Sequence, residues 1–113
     1  MGLFSKKPKP DFVAACVDDP AQGYERIKLS TYRDKYAYDG IRNLGRSQIR
    51  SVAFMLGDAD GSKLINVYAN GKHRIGTIYR NSWPDVYAWI SSGKVRSVSV
   101  EIVDRDEVYL YLK

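Results

Sequence analysis

Alternation of apolar and polar side chains dominates the second half of the chain. Val98, Val100 and Ile102 alternate with Ser97, Ser99 and Glu101. Asp104-Arg105-Asp106-Glu107 supplies a turn, and Val108, Leu110 and Leu112 then alternate with Tyr109 and Tyr111. A period of two with one apolar face predicts a half-buried antiparallel hairpin. A second hairpin is predicted where residues 64–69 and 72–79, rich in β-branched and aromatic side chains, flank Asn70-Gly71. Asn-Gly tolerates positive φ at both central positions of a two-residue type I′ turn. Strict alternation along its second strand places Lys72, Arg74 and Gly76 on one face, opposite His73, Ile75 and Thr77. Gly76, inside that strand, suggests a bulge or a close approach by another backbone or a ligand. Residues 49–56 read as a further strand with Val52, Phe54 and Leu56 on one face. Residues 12–17 and 26–31 are weaker strand candidates.

The clearest helical pattern lies between the two hairpins. Ser82 and Asp85 have the spacing of a capping box, Pro84 sits in the first turn, and Val86, Trp89 and Ile90 form an i, i+3, i+4 stripe, with Trp89 expected in the core. Gly93 marks the end. A helix this short is marginal alone and must pack on the sheet. Residues 32–45 hold many Tyr, Arg and Asp side chains and show no convincing period. The sum is six or seven strands and one or two short helices. The fold class is α+β, mostly β: a small antiparallel barrel-like or sandwich-like single domain.

Composition narrows the function classes. The chain has 113 residues, enough for one modest core. Residues 1–10 read as a flexible basic tail, because Pro8 and Pro10 block regular structure and Lys6, Lys7 and Lys9 repel one another. Residues 11–113 form the domain. No apolar run approaches the ~20 residues that span a bilayer, and the tail has neither a secretory nor a fitting myristoylation pattern. The single cysteine, Cys16, excludes an internal disulfide framework and points to the cytoplasm. The single histidine, His73, argues against a histidine metal site or a catalytic triad. The Asp58–Asp60 turn lacks the glutamate that a calcium loop needs at its twelfth position, where Ala69 stands. No P-loop, nucleotide-binding glycine motif or nucleophile constellation is present. The expectation is a protein with no catalytic residues, no metal and no cofactor.

Net charge is +5, and its distribution says more than its size. Residues 24–50 carry seven basic side chains against three acidic, whereas residues 101–107 reverse the sign. That dipole favours one face for an anionic partner. Within the basic segment, Tyr24, Arg26, Lys28, Tyr32, Arg33, Lys35 and Tyr36 interleave rings and cations. Tyrosine faces stack on unpaired bases at roughly 1–3 kcal/mol each, and the cations neutralise phosphates. The same pattern also fits half-buried rings of Tyr24, Tyr32 and Tyr36 covering a core edge. Lys72, Arg74 and Arg80 around the Asn-Gly hairpin are secondary phosphate candidates, or a solvated tip. Trp83, at the helix start, is a further ring that could be exposed.

The segment 57–103 resembles the HIRAN domain family, small barrel-like modules found fused to Swi/Snf-type helicases and as stand-alone proteins. The acidic turn is Gly57-Asp58-Ala59-Asp60-Gly61, followed by a strand with Leu64-Ile65-Asn66-Val67. The Asn70-Gly71 turn leads to the Ile-Gly element Ile75-Gly76-Thr77-Ile78, then a helix over residues 84–92 and a valine-rich strand over 98–103. Thr77 stands where the family often has an aromatic, and residues 12–17 lack the glycine of the family's opening strand. The resemblance implies a module that binds single-stranded DNA or DNA ends through its first segment and acidic turn. The expected function is therefore a non-catalytic nucleic-acid-binding module favouring single-stranded or end-containing DNA. The rival is a protein-interaction or assembly module of a phage or mobile element, pairing with a protein partner through an exposed edge strand at residues 108–112.

Overall fold

A computed structural model describes residues 10–113 of the chain. The expected tail over residues 1–10 lies outside the described residues, apart from Pro10. The elements run β1 (Phe12–Cys16), β2 (Glu25–Lys28), α1 (Lys35–Leu44), β3 (Ser51–Ala59), β4 (Ser62–Ala69), β5 (His73–Tyr79), α2 (Pro84–Ser91), β6 (Ser97–Asp104) and β7 (Glu107–Leu112). The strands make one mixed, mostly antiparallel sheet in the order β2-β7-β6-β1-β3-β4-β5. The exception is β1, which pairs parallel to β6 at Ala15–Ser97 and Cys16–Val98. The chain beyond β2 then meets β5. Ser30 and Thr77 exchange backbone hydrogen bonds of 2.8 and 3.0 Å, which join the two ends of the order and close the sheet.

Period-two patterning explains the interior. Val52 and Phe54 of β3, Ile65 and Val67 of β4, Val98 of β6 and Leu110 of β7 are all fully buried, together with Ile27 of β2 and the following Leu29. Each such side chain contributes about 1.5–3 kcal/mol on burial, whereas an exposed ion pair such as Arg42–Asp39 contributes under about 1 kcal/mol. Core filling therefore holds the sheet closed. Leu56, expected on the same buried face as Val52 and Phe54, is exposed.

The Asn-Gly turn forms with both residues left-handed (φ 54° and 73°). Its loop is longer than the expected two residues, because Ala69 lies opposite His73 and Lys72 stays outside the ladder. A second irregularity falls in β5 itself: Tyr68 pairs with Arg74, but Val67 pairs with Gly76. Ile75 is the extra residue, so Arg74 and Gly76 lie on opposite faces and not together as strict alternation required. The glycine is needed for approach. A methyl group there would lie 2.7 Å from Leu29 Cβ and 3.2 Å from the Ser30 carbonyl oxygen, so the sheet could not close at this point.

Helix α1 forms where no period was convincing. Asp34 caps it by accepting from the Ala37 N–H at 3.1 Å, and the Gly45 N–H donates to Ile41 at its end. Ala37, Gly40 and Leu44 are buried, and Ile41 packs against the core. The helix lies on the outside of β5. Gly40 presses directly on the Arg74 backbone, and no side chain fits between. Helix α2 starts as expected at Pro84, yet Ser82 does not cap it. Trp83 is the N-cap residue and makes no side-chain capping bond. Val86 and Ile90 are buried, while Trp89 is only partly so. Strand β7 is not an edge: it is paired along its length with β2 on one side and β6 on the other. The edge offered at residues 108–112 for pairing with a protein partner is therefore occupied.

Candidate nucleic-acid interface

The loop from Ser30 to Asp34 leaves the closing bridge and turns sharply, with Arg33 at φ 52°, before Asp34 starts α1. This turn throws the two flanking rings outward. Tyr32 is 78% exposed and Tyr36 is 72% exposed. The Arg33 guanidinium lies 5.2 Å from the Tyr32 ring centre, and that of Arg74 lies 5.8 Å from the Tyr36 ring centre. Lys35, at the first position of α1, is exposed between them. These residues, with Ser30 and Tyr79, border a shallow depression of about 260 Å³. Two flat rings and several cations thus share one shelf, with the rings turned to solvent.

Arg74 has a role that its sequence position did not reveal. Its Nη2 lies 3.3 Å from Asp34 Oδ2 and donates to Thr77 Oγ1 at 3.1 Å. Thr77 Oγ1 donates in turn to Asn66 Oδ1 at 3.2 Å. The Arg74 Nε is buried without a partner among the described residues. One arginine therefore ties the cap of α1 to the strand that closes the sheet. Its charge is balanced by Asp34, so it contributes less to phosphate attraction than a free cation would.

A larger groove of about 630 Å³ opens next to the shelf. Its walls are the end of β2 with Lys28, the Thr31–Arg33 turn, Tyr79, and Ser82-Trp83 before α2. Tyr38 and Asp106 complete it, the phenol donating to the Asp106 carboxylate at 2.9 Å. That bond, reinforced by desolvation and the carboxylate charge, raises the Tyr38 pKa above its ordinary value. A third depression, about 400 Å³, runs between α1 and the Asn-Gly hairpin, with Tyr36, Tyr68, Lys72, His73 and Arg74 among its walls.

The other expected contacts lie elsewhere. Tyr24 is at the opposite end of β2, where its hydroxyl and that of Ser97 are 2.7 Å apart and Lys113 sits over its ring. Arg26 stacks 3.8 Å from the centre of the Tyr109 ring on the outside of the sheet. Around it, Tyr109 donates to Glu107 at 2.6 Å and Tyr111 to Glu101 at 2.9 Å. Both bonds raise the phenol pKa values. Arg80 is exposed in the turn after β5, with its backbone bonded to Lys63. The charge dipole read along the chain is also folded up, because β7 lies beside β2. Acidic side chains at 101–107 consequently neighbour the basic segment, and Asp106 lines the same groove as Lys28 and Arg33.

Tyr38, Tyr68 and Tyr79 were not singled out as contacts from sequence. Tyr79 ends a strand whose register is changed by the Ile75 bulge, so alternation alone could not give its direction. Tyr38 was hidden by the unread period of α1. Trp83, flagged only as a ring that could be exposed, is half-buried in the groove wall.

Among the described residues no group of three or more His, Cys, Asp or Glu side chains is placed to hold a metal ion, and no helix is long and apolar enough to cross a membrane. Cys16 is half-buried and its thiol pKa is raised, chiefly by desolvation. No protein-family model, curated protein or solved structure matches the chain.

Proposed function

We propose that this protein is a non-catalytic nucleic-acid-binding module that prefers single-stranded DNA. The observation that carries the reading is the pair of outward-facing rings, Tyr32 and Tyr36, on a shelf shared with Arg33 and Lys35. Large rings held in water lose the burial that would otherwise stabilise them. A base offers such a ring a stacking partner, and every base has a π-face, so the interaction tolerates any sequence. The adjoining cations attract the phosphates that accompany the bases. A duplex keeps its base faces stacked on one another and presents none to the shelf.

The HIRAN-like pattern supports the same reading, since modules of that family bind single strands and DNA ends. The Ile75-Gly76 element lies at the closing bridge beside the shelf, and the acidic turn is the β3–β4 connection. In this chain the rings come from the β2–α1 turn (Tyr32) and the first turn of α1 (Tyr36), so the shelf is the primary contact and the acidic turn is secondary.

The test is a fluorescence-anisotropy titration with single-stranded, duplex and 3′-blocked oligonucleotides at two salt concentrations. Single strands are expected to bind best, with affinity falling as salt rises. Tyr32→Ala and Tyr36→Ala should each weaken binding by about 1–3 kcal/mol and leave the thermal unfolding midpoint nearly unchanged, because both rings are exposed. Unchanged affinity in both variants at low salt removes the assignment.

A further inference from the structure

The three depressions neighbour one another in series, each sharing wall residues with the next. The groove at Trp83 and the central shelf share Ser30, Tyr32, Arg33 and Tyr79. The shelf and the depression beside α1 share Tyr36 and Arg74. Their order follows β5, from Tyr79 at its last residue back to His73 at its first. Seven residues of strand span about 20 Å, and the groove at Trp83 extends the path further.

Charge along this path is uneven in a way that chain-level counting hides. Each bordering carboxylate already faces a cation: Asp34 holds Arg74, Asp39 holds Arg42, and Asp106, which also accepts from Tyr38, lies 4.0 Å from Arg105 Nε. Lys28, Arg33, Lys35 and Lys72 make no ion pair among the described residues. They are spaced from one end of the path to the other. Rings accompany them throughout, with Trp83 and Tyr79 at one end, Tyr32 and Tyr36 in the middle and Tyr68 at the other. An anionic chain carrying flat groups at regular intervals matches this arrangement along its whole length, whereas a single small anion would use one cation of the four.

We propose that one nucleic-acid strand runs over the surface across these three depressions, outside the tight Gly40–Arg74 contact of α1 with β5, from Trp83 to Lys72, and that the site covers about five nucleotides, near the low end of single-strand site sizes for small barrels. This inference rests on the single-strand reading above and adds the direction, extent and far contacts of the bound strand. Lys72 neutralises the phosphate farthest from Trp83, with Tyr68 beside it. Arg74 acts as a positioning residue under the middle of the path.

The experiment is a competition series on the full chain with oligothymidylates from the dinucleotide to the decanucleotide, repeated with Lys72→Glu. Affinity should climb with length and level off once the path is filled. Lys72→Glu, at an exposed hairpin residue, should keep the wild-type unfolding midpoint. It should weaken the octanucleotide about 10-fold and leave the dinucleotide unaffected. Affinity that is already maximal at the dinucleotide overturns the lengthwise path, as does an octanucleotide indifferent to Lys72→Glu. Either outcome leaves the Tyr32–Tyr36 shelf standing if Tyr32→Ala still weakens binding. Failure of every oligonucleotide to bind at low salt overturns both readings.

Discussion

A methyl group on Gly40 would collide with the backbone carbonyl of Arg74, which cannot move without disturbing β5. In an isolated helix the change from glycine to alanine is favourable by about 1 kcal/mol. Here overpacking, typically about 1–3 kcal/mol, opposes it. The steric effect wins, because the obstructing atom is backbone and not the end of a side chain. Gly40→Ala should therefore lower the urea midpoint, against the helix-propensity trend. A raised midpoint would mean that α1 can lift from β5 at no cost. The same scale separates the tyrosines. Tyr109 and Tyr111 donate to Glu107 and Glu101 and frame Arg26, whereas Tyr32 and Tyr36 stand in water. Ring type and spacing along the chain do not distinguish these two fates.

At the scale of elements, α1 depends on Asp34. Its Oδ1 caps the helix and its Oδ2 faces Arg74. Losing a cap costs about 0.5–2 kcal/mol, and stranding a partly buried arginine adds to that. Asp34→Ala should thus destabilise by about 2 kcal/mol in chemical denaturation. Asp34→Asn can still cap and should lose less. Equal losses would show that the arginine contact carries the whole effect. Hairpin β4–β5 was readable from Asn70-Gly71 and its β-branched flanks, and Gly76 was read as a point of close approach, which it is. Helix α1 was present in the sequence as Ala37, Gly40, Ile41 and Leu44, at the i, i+3, i+4, i+7 spacing, between an Asp cap and a Gly stop. Its glycine and two tyrosines lower intrinsic helix propensity and masked that pattern.

For the whole molecule, closure of the sheet decides which surfaces remain available. Pairing with β2 on one side and β6 on the other leaves β7 internal, so pairing of a partner strand at residues 108–112 would require opening the sheet, and the Ser30–Thr77 bond pair links its two ends. Closure also carries the β2–α1 turn next to Tyr79 and Trp83, which supplies one end of the proposed path. If its four unpaired cations each meet a phosphate, the logarithm of the binding constant should fall against that of salt concentration with a slope of about −3, from roughly −0.7 per contact on a single strand. A slope near zero would assign the affinity to stacking alone and remove the cations from the interface.

Local patterning by itself determined the strands, the turn at Asn70-Gly71, the start of α2 at Pro84 and the apolar faces that fill the barrel. Those features arise from side chains a few residues apart, and period, turn chemistry and capping report them directly. The tertiary structure decided the exposure of Tyr32 and Tyr36, the engagement of Arg26 and Arg74 with partners, and the meeting of the basic segment with the acidic one. Each of these depends on contacts between residues far apart in the chain. The turn at Arg33 sets the first, the one-residue bulge at Ile75 aims Arg74, and the pairing of β2 with β7 brings Arg26 to Tyr109 and the two charged segments together; of these only the bulge had a local signal, in Gly76.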